Sequence, residues 1–162
     1  MARPGISKHV TFDTLLELHD GAAAVTADDL AEVSGAEQII NLYQGAASGS
    51  AGVGAEFNGL WVIDVSAIDQ TTGDELYTLI LEGCNTAAFT TTSIVQLAMI
   101  QLGDEDTMQG NCDLDLGVGR YVVPFSNELV GTTYQYCRLA FDVGGTSPSI
   151  TCTSFLGKGR AA

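Results

Sequence analysis

Apolar and polar residues alternate with a period of two in short runs separated by turn residues, the pattern of half-buried strands in an all-β fold. The first run sets Val10, Phe12, Leu16 and Leu18 on one face and Thr11, Asp13, Glu17 and His19 on the other, ending at Asp20-Gly21. Asp28, Asp29 and Glu32 around Leu30 read as a brief helical turn, and extended character resumes over Glu37–Tyr43. The Ala, Ser and Gly residues between Gly45 and Gly54 read as a flexible loop. Phe57–Ile68 is apolar on both faces around Leu60, Trp61, Val62 and Ile63, which predicts a central strand. Thr72-Gly73-Asp74 then turns the chain, and Glu75–Cys84 returns as its hairpin partner.

Beyond a loop containing Asn85 and Phe89, Ile94–Leu102 is again apolar on both faces and runs into an acidic loop at Gly103–Asp106. Arg120–Phe125 contains Pro124, which cannot donate to a ladder and therefore predicts an edge strand. Thr132–Val143 and Ser149–Leu156, separated by Gly144-Gly145, complete eight strands. Eight short strands with irregular loops predict an all-β jelly-roll sandwich of two antiparallel sheets, with an immunoglobulin-like sandwich as the rival topology. The expected division is an N-terminal arm over 1–9, the sandwich over 10–157 and a C-terminal tail over 158–162. No amphipathic helix and no fixed-period repeat competes with this reading.

Composition changes the picture in two ways. With 46% hydrophobic residues, 16% charged residues and 19 glycines in 162, the exterior is built from Thr, Ser, Gly, Asn and Gln. So weakly charged a surface suits a protein packed against neighbours. The formal charge of −14 argues against nucleic-acid phosphates or an anionic membrane as direct partners. The bases are also unevenly placed: Arg3 and Lys8 lie before all twenty acids, and Lys158 and Arg160 lie after them, leaving Arg120 and Arg138 between. Basic ends on an acidic body predict docking through Arg3, Ile6, Lys8, Lys158 and Arg160 onto a partner surface. The apolar runs are too short to span a membrane and no leader pattern opens the chain, so synthesis in a cytoplasm is expected.

Candidate chemistry is sparse. His9 and His19 are the two histidines, and His19 is placed on the outward, solvated face of the first strand beside Glu17. No GxSxG elbow and no HxH metal pair is present, so neither a hydrolase nor a cupin-type enzyme is expected, and no cofactor. Asp104, Glu105, Asp106, Asp113 and Asp115 fit no EF-hand spacing and read as solvated loop charges. Cys84, Cys112, Cys137 and Cys152 form no CxxC pair, and Cys137 and Cys152 read as core thiols. Gly117-Val118-Gly119 and Gly144-Gly145 read as turns, and Trp61 as core.

The order of segments resembles that of the jelly-roll cement, or decoration, proteins of short-tailed bacteriophages. The resemblance runs through Val10-Thr11-Phe12-Asp13, Ala24-Val25-Thr26 and Tyr77–Glu82, and continues into Asn85–Thr90. It resumes at Arg120-Tyr121, Tyr136–Leu139, Val143–Thr146 and Ile150–Leu156. The Gly45–Gly54 loop is longer than the family pattern, and the cysteines lie outside it. The resemblance implies a non-enzymatic virion protein on the outer capsid surface. It would bridge adjacent subunits of the major capsid protein and associate with itself as a homodimer or homotrimer at symmetry axes. A carbohydrate-binding β-sandwich of a tail or adhesion protein, using Ca²⁺ at the acidic loops, is the alternative from a different class.

Overall fold

The computed structural model describes residues 14–42, 56–90, 93–103 and 116–157. A 3-10 turn, Thr14–Leu16, leads into thirteen strand segments. Those of the N-terminal part are short: β1 (Glu17–His19), β2 (Asp29–Leu30), β3 (Glu32–Val33), β4 (Ala36–Glu37) and β5 (Ile40–Asn41). The long central strands follow as β6 (Asn58–Ile68), β7 (Leu76–Cys84), β8 (Val95–Gly103) and β9 (Gly119–Ser126). A small hairpin of β10 (Glu128–Leu129) and β11 (Thr132–Thr133) precedes β12 (Tyr136–Gly144) and β13 (Ile150–Gly157).

Two antiparallel sheets form the body. One has the order β1-β13-β6-β9, and the other has the order β2-β12-β7-β8 with β5 also pairing β12. Because β2 meets Ala140 and Phe141 while β5 meets Tyr136 and Cys137, the two short segments share one edge position along β12. Numbering the sheet positions along the chain, the first sheet takes positions 1-8-3-6 and the second 2-7-4-5. Only β7 to β8 is a connection within one sheet; the others between principal strands cross from sheet to sheet.

Strand alternation explains why the sheets close on one another. Trp61, Ile63 and Val65 of β6 and Leu156, Cys152 and Ile150 of β13 face Tyr77, Leu79 and Leu81 of β7 and Cys137, Leu139 and Phe141 of β12 in one buried cluster. Each fully buried Leu or Ile there contributes roughly 1.5–3 kcal/mol. Two polar groups inside are matched to partners: Trp61 Nε1 donates to Ser154 Oγ at 2.8 Å, and the Tyr77 hydroxyl donates to the Asp69 carbonyl at 2.8 Å. At the sandwich end the chain comes very close to itself. A Cβ on Gly103 would lie 2.2 Å from the Glu75 carbonyl oxygen, and one on Gly145 would lie 2.5 Å from that of Asp74.

Several sequence expectations meet the structure directly. Phe57–Ile68 is a central strand, Pro124 sits on edge strand β9, and Trp61, Cys137 and Cys152 are core. Ile94–Leu102, apolar on both faces, lies at an edge as β8. Four expectations are corrected. Phe57–Ile68 and Glu75–Cys84 are not hairpin partners, because β6 lies between β13 and β9 in one sheet and β7 between β12 and β8 in the other, and the Thr72–Asp74 turn crosses between the sheets. The segment at Asp28–Glu32 is extended, forming β2, where Leu30 and Asp29 pair with Ala140 and Phe141 of β12, and the start of β3, where Glu32 pairs with Glu37 of β4. The expected strand Thr132–Val143 is divided into β11 and β12. The first described strand begins only at Glu17, after the 3-10 turn, and His19 is buried. A register shift between Glu17 and His19 breaks the period of two, so that Leu18 and His19 both turn away from solvent.

Candidate interaction surface

The residues singled out for docking, Arg3, Ile6, Lys8, Lys158 and Arg160, lie outside the described residues, as do Val10–Asp13, the Gly45–Gly54 loop, Cys112 and the acids at 104–106, 113 and 115. Where their segments join the body is nevertheless defined. β1 runs antiparallel to β13 with Glu17 opposite Phe155, so the turn at Thr14–Leu16 packs beside the end of β13 at Gly157. Both basic segments therefore connect to the same corner of the sandwich. The two described arginines are already engaged. Arg120 meets Asp64 at 2.6 Å on the surface. Arg138 meets Glu37 and Glu82, each at 2.8 Å, with its guanidinium 4.4 Å from the centre of the Phe89 ring.

The titratable groups of the described body are used to hold turns and core. Asp74 accepts from the Thr146 amide and hydroxyl, which holds its carboxyl below the usual carboxylate range. Glu75 is buried against the Thr72 hydroxyl and accepts from the Gly73 amide at 3.1 Å, and the hydroxyl contact lowers its pKa. Burial is the main influence on His19 and lowers its pKa; Nδ1 lies 3.1 Å from the Glu32 carbonyl oxygen, and Nε2 has no hydrogen-bond partner. Its ring meets Phe141 edge-on at 5.2 Å. The Cys152 thiol is pushed up to about 12 by burial, and that of Cys137 higher still, so neither is a nucleophile at neutral pH. Among the described residues no group of three or more His, Cys, Asp or Glu side chains is placed to hold a metal ion.

What the surface does offer is shape and apolar area. β10 and β11 form a hairpin whose tip, Val130-Gly131, has φ of 51° and 75°, the two positive values of a type I′ turn. Such a turn favours Asn, Asp or Gly, because a β-branched side chain in the left-handed region is strained. Yet position 130 is Val, 96% exposed, beside Leu129, which is 43% exposed. Among the described residues the same turn recurs at Ser34-Gly35, with φ of 56° and 76°. There the strained residue is polar, and its amide is anchored by the Asp20 carboxylate at 2.7 Å.

The base of the Val130 hairpin is fixed from inside. Asn127 is fully buried; its side chain accepts from the Phe57 amide at 2.6 Å and donates to the Tyr134 carbonyl at 3.0 Å. Its backbone also donates to Phe57 and accepts from Tyr134. The apolar tip thus projects from a rigid mount next to a shallow groove of about 470 Å³ lined by Asn58, Gly59, Leu60, Pro124, Phe125 and Ser126. Sequence reasoning missed this element, since a Val in the turn gives no turn signal and only Gly131 marks the reversal.

A second apolar feature crosses the outer face of the five-stranded sheet. The register places Leu30, Ala140, Ile80 and Met99 side by side on neighbouring strands, facing away from the core. This row ends at the edge strand β8, where Met99 is 44% exposed. The chain is an antiparallel β-sandwich protein whose described surface carries apolar projections and edges. No protein-family model, no curated protein and no solved structure matches it.

Proposed function

We propose that this protein is a structural virion protein that binds the outside of a phage capsid and cements adjacent subunits of the major capsid protein, without turnover. The observation that carries the reading is the exposed Leu129-Val130 tip, where local stability is given up to hold an apolar side chain in water on a rigid mount. Strain of this kind persists where a contact outside the chain uses it, and a preformed apolar anchor binds with little ordering cost. The 1-8-3-6 and 2-7-4-5 strand order supports a jelly roll, the architecture implied by the family resemblance. The two basic segments joining one corner of an acidic body give a second, electrostatic contact with the shell.

Co-sedimentation with shells that lack the protein, followed by imaging of the shell surface, tests the reading. The native chain is expected to pellet with shells and appear as regular outer density. Val130→Asn is expected to lower occupancy at least about tenfold, equivalent to ~1.4 kcal/mol, while keeping the fold. A chain that does not sediment with shells overturns the proposal.

A further inference from the structure

We propose that His19 is an acid-operated latch: as the neutral imidazole it clasps β1 to the β3–β4 hairpin, and as the imidazolium it swings outward and lets these segments part while the sandwich stays folded. Where the register of β1 slips against β13, the ring is buried at the edge of its sheet. Its Nδ1 lies 3.1 Å from the Glu32 carbonyl oxygen and 3.3 Å from the Glu32 amide nitrogen. The Asp20 amide donates to the same carbonyl at 3.2 Å, and the Asp20 carboxylate accepts from the Ser34 amide at 2.7 Å. His19 and Asp20 together therefore grip the hairpin at its first strand and at its turn.

A second proton has no place in the closed clasp. The neutral ring meets Glu32 through Nδ1 in one of two ways, as donor to the carbonyl or as acceptor from the amide. The imidazolium is a donor at both nitrogens. Its Nδ1–H turns the Glu32 amide away, and its Nε2–H is buried with no hydrogen-bond partner among the described residues. A buried donor without an acceptor is costly, and more so when charged.

The surroundings draw the charged ring outward. The charged groups near it are Asp20, the next residue, Glu32 on β3 and Asp29 on β2. β12 presents the Phe141 ring, and β13 sets Ser154 opposite and has no charged residue over Ile150–Gly157. Asp29 and Glu32 are exposed, so water screens them from the buried ring, while a ring turned outward meets them directly. Burial holds the closed imidazole below its ordinary value of about 6.5, so the proton is taken up by the open form. The latch is closed above that pH and opens as the pH falls below it.

The opening is bounded by contacts that do not involve His19. Leu18 is fully buried in the core, and Val25 and Ile150 exchange backbone hydrogen bonds of 2.8 and 3.0 Å. The Ala31 amide donates to the Leu139 carbonyl at 2.9 Å, and Arg138 holds Glu37 at 2.8 Å. Between these anchors β1 is three residues long and β3 and β4 are two each, and short ladders are the first parts of a fold to open.

Amide hydrogen exchange of the purified chain, followed by NMR between pH 7.5 and pH 5 and corrected for the intrinsic pH dependence of exchange, tests the latch. Protection at Asp20 and Glu32 is expected to fall at least tenfold across this range, while Val25 and Ala31 keep theirs. The Ser34 and Ala22 amides hold the Asp20 carboxyl below the usual carboxylate range, so Asp20 stays ionised throughout. His19→Gln, which takes up no proton, is expected to keep protection at Asp20 and Glu32 down to pH 5. Protection there that is indifferent to pH, a loss shared by Val25 and Ala31, or an equal loss in His19→Gln overturns the inference. Should His19→Gln fail to fold, the ring signals of His19 in the native chain decide: titration with the same midpoint as the loss of protection supports the latch, and a ring that stays neutral through that loss overturns it. No shells are used, so the outcome is independent of the capsid reading.

Discussion

Val130 and Ser34 occupy equivalent places in two turns of the same type, and the difference between them separates stability from function. A non-glycine residue in the left-handed region costs about 1–2 kcal/mol, least for Asn and Asp. Val130→Asn is therefore expected to raise stability by about 1 kcal/mol, or ~2–4 °C in Tm for a domain of this size, measured by thermal melting of the isolated chain. Its mount behaves oppositely. Asn127→Ala removes the side-chain acceptor of the Phe57 amide and the donor to the Tyr134 carbonyl inside the fold, at a cost of roughly 1–3 kcal/mol, seen as a lower denaturant midpoint with unchanged slope.

His19 supplies a pH dependence. Its folded pKa lies below the unfolded value because burial disfavours the imidazolium, so the unfolded chain binds more protons as the pH falls below about 6.5. Stability is complete above that pH and declines below it. In melts between pH 8 and pH 5, the native chain is expected to lose more Tm than His19→Gln. Equal losses would mean that His19 is accessible to protons in the folded state.

At the scale of elements, the long strands are legible in the sequence and the short ones are not. β6, β7, β9 and β13 carry enough alternating or two-sided apolar residues to declare themselves, and Pro124 identifies its strand as an edge. Residues 14–42 resist reading because their ladders are two or three residues long and rich in acids. Asp29 and Glu32 look helical in sequence; the extended form of Asp29 is imposed by β12 and that of Glu32 by its pairing with Glu37 of β4. Alternation misplaces His19 because it holds only until the register slips, and nothing in the sequence marks the slip. β8 shows that an apolar pattern reports burial without saying by what: the same two-sided signature marks a central strand in β6 and an edge in β8.

At the scale of the whole molecule, charge is segregated. The described body carries two arginines, both paired with carboxylates, and the other four bases lie in segments 1–13 and 158–162. If those segments dock on the shell, Lys8→Glu combined with Lys158→Glu is expected to reduce capsid occupancy severalfold. The native chain is likewise expected to bind more weakly as ionic strength rises and the Debye length shrinks from about 10 Å at 0.1 M. Occupancy indifferent to both would leave docking to the apolar tip alone. The docking residues chosen from sequence rest on charge distribution, and the structure adds only their common point of attachment, since no local pattern in residues 1–9 or 158–162 specifies a contact.

The position of β13 governs when this chain can fold. It is the penultimate strand of its sheet, between β1 and β6, and it pairs Leu156 with Trp61 and Phe155 with Glu17. During synthesis β1 has no ladder partner, and β6 lacks one of its two, until residues 150–157 have left the ribosome. The sheet therefore closes late, through contacts that are remote in sequence and slow to form. Until then the ladder edge of β1 and one whole side of β6 stay unpaired.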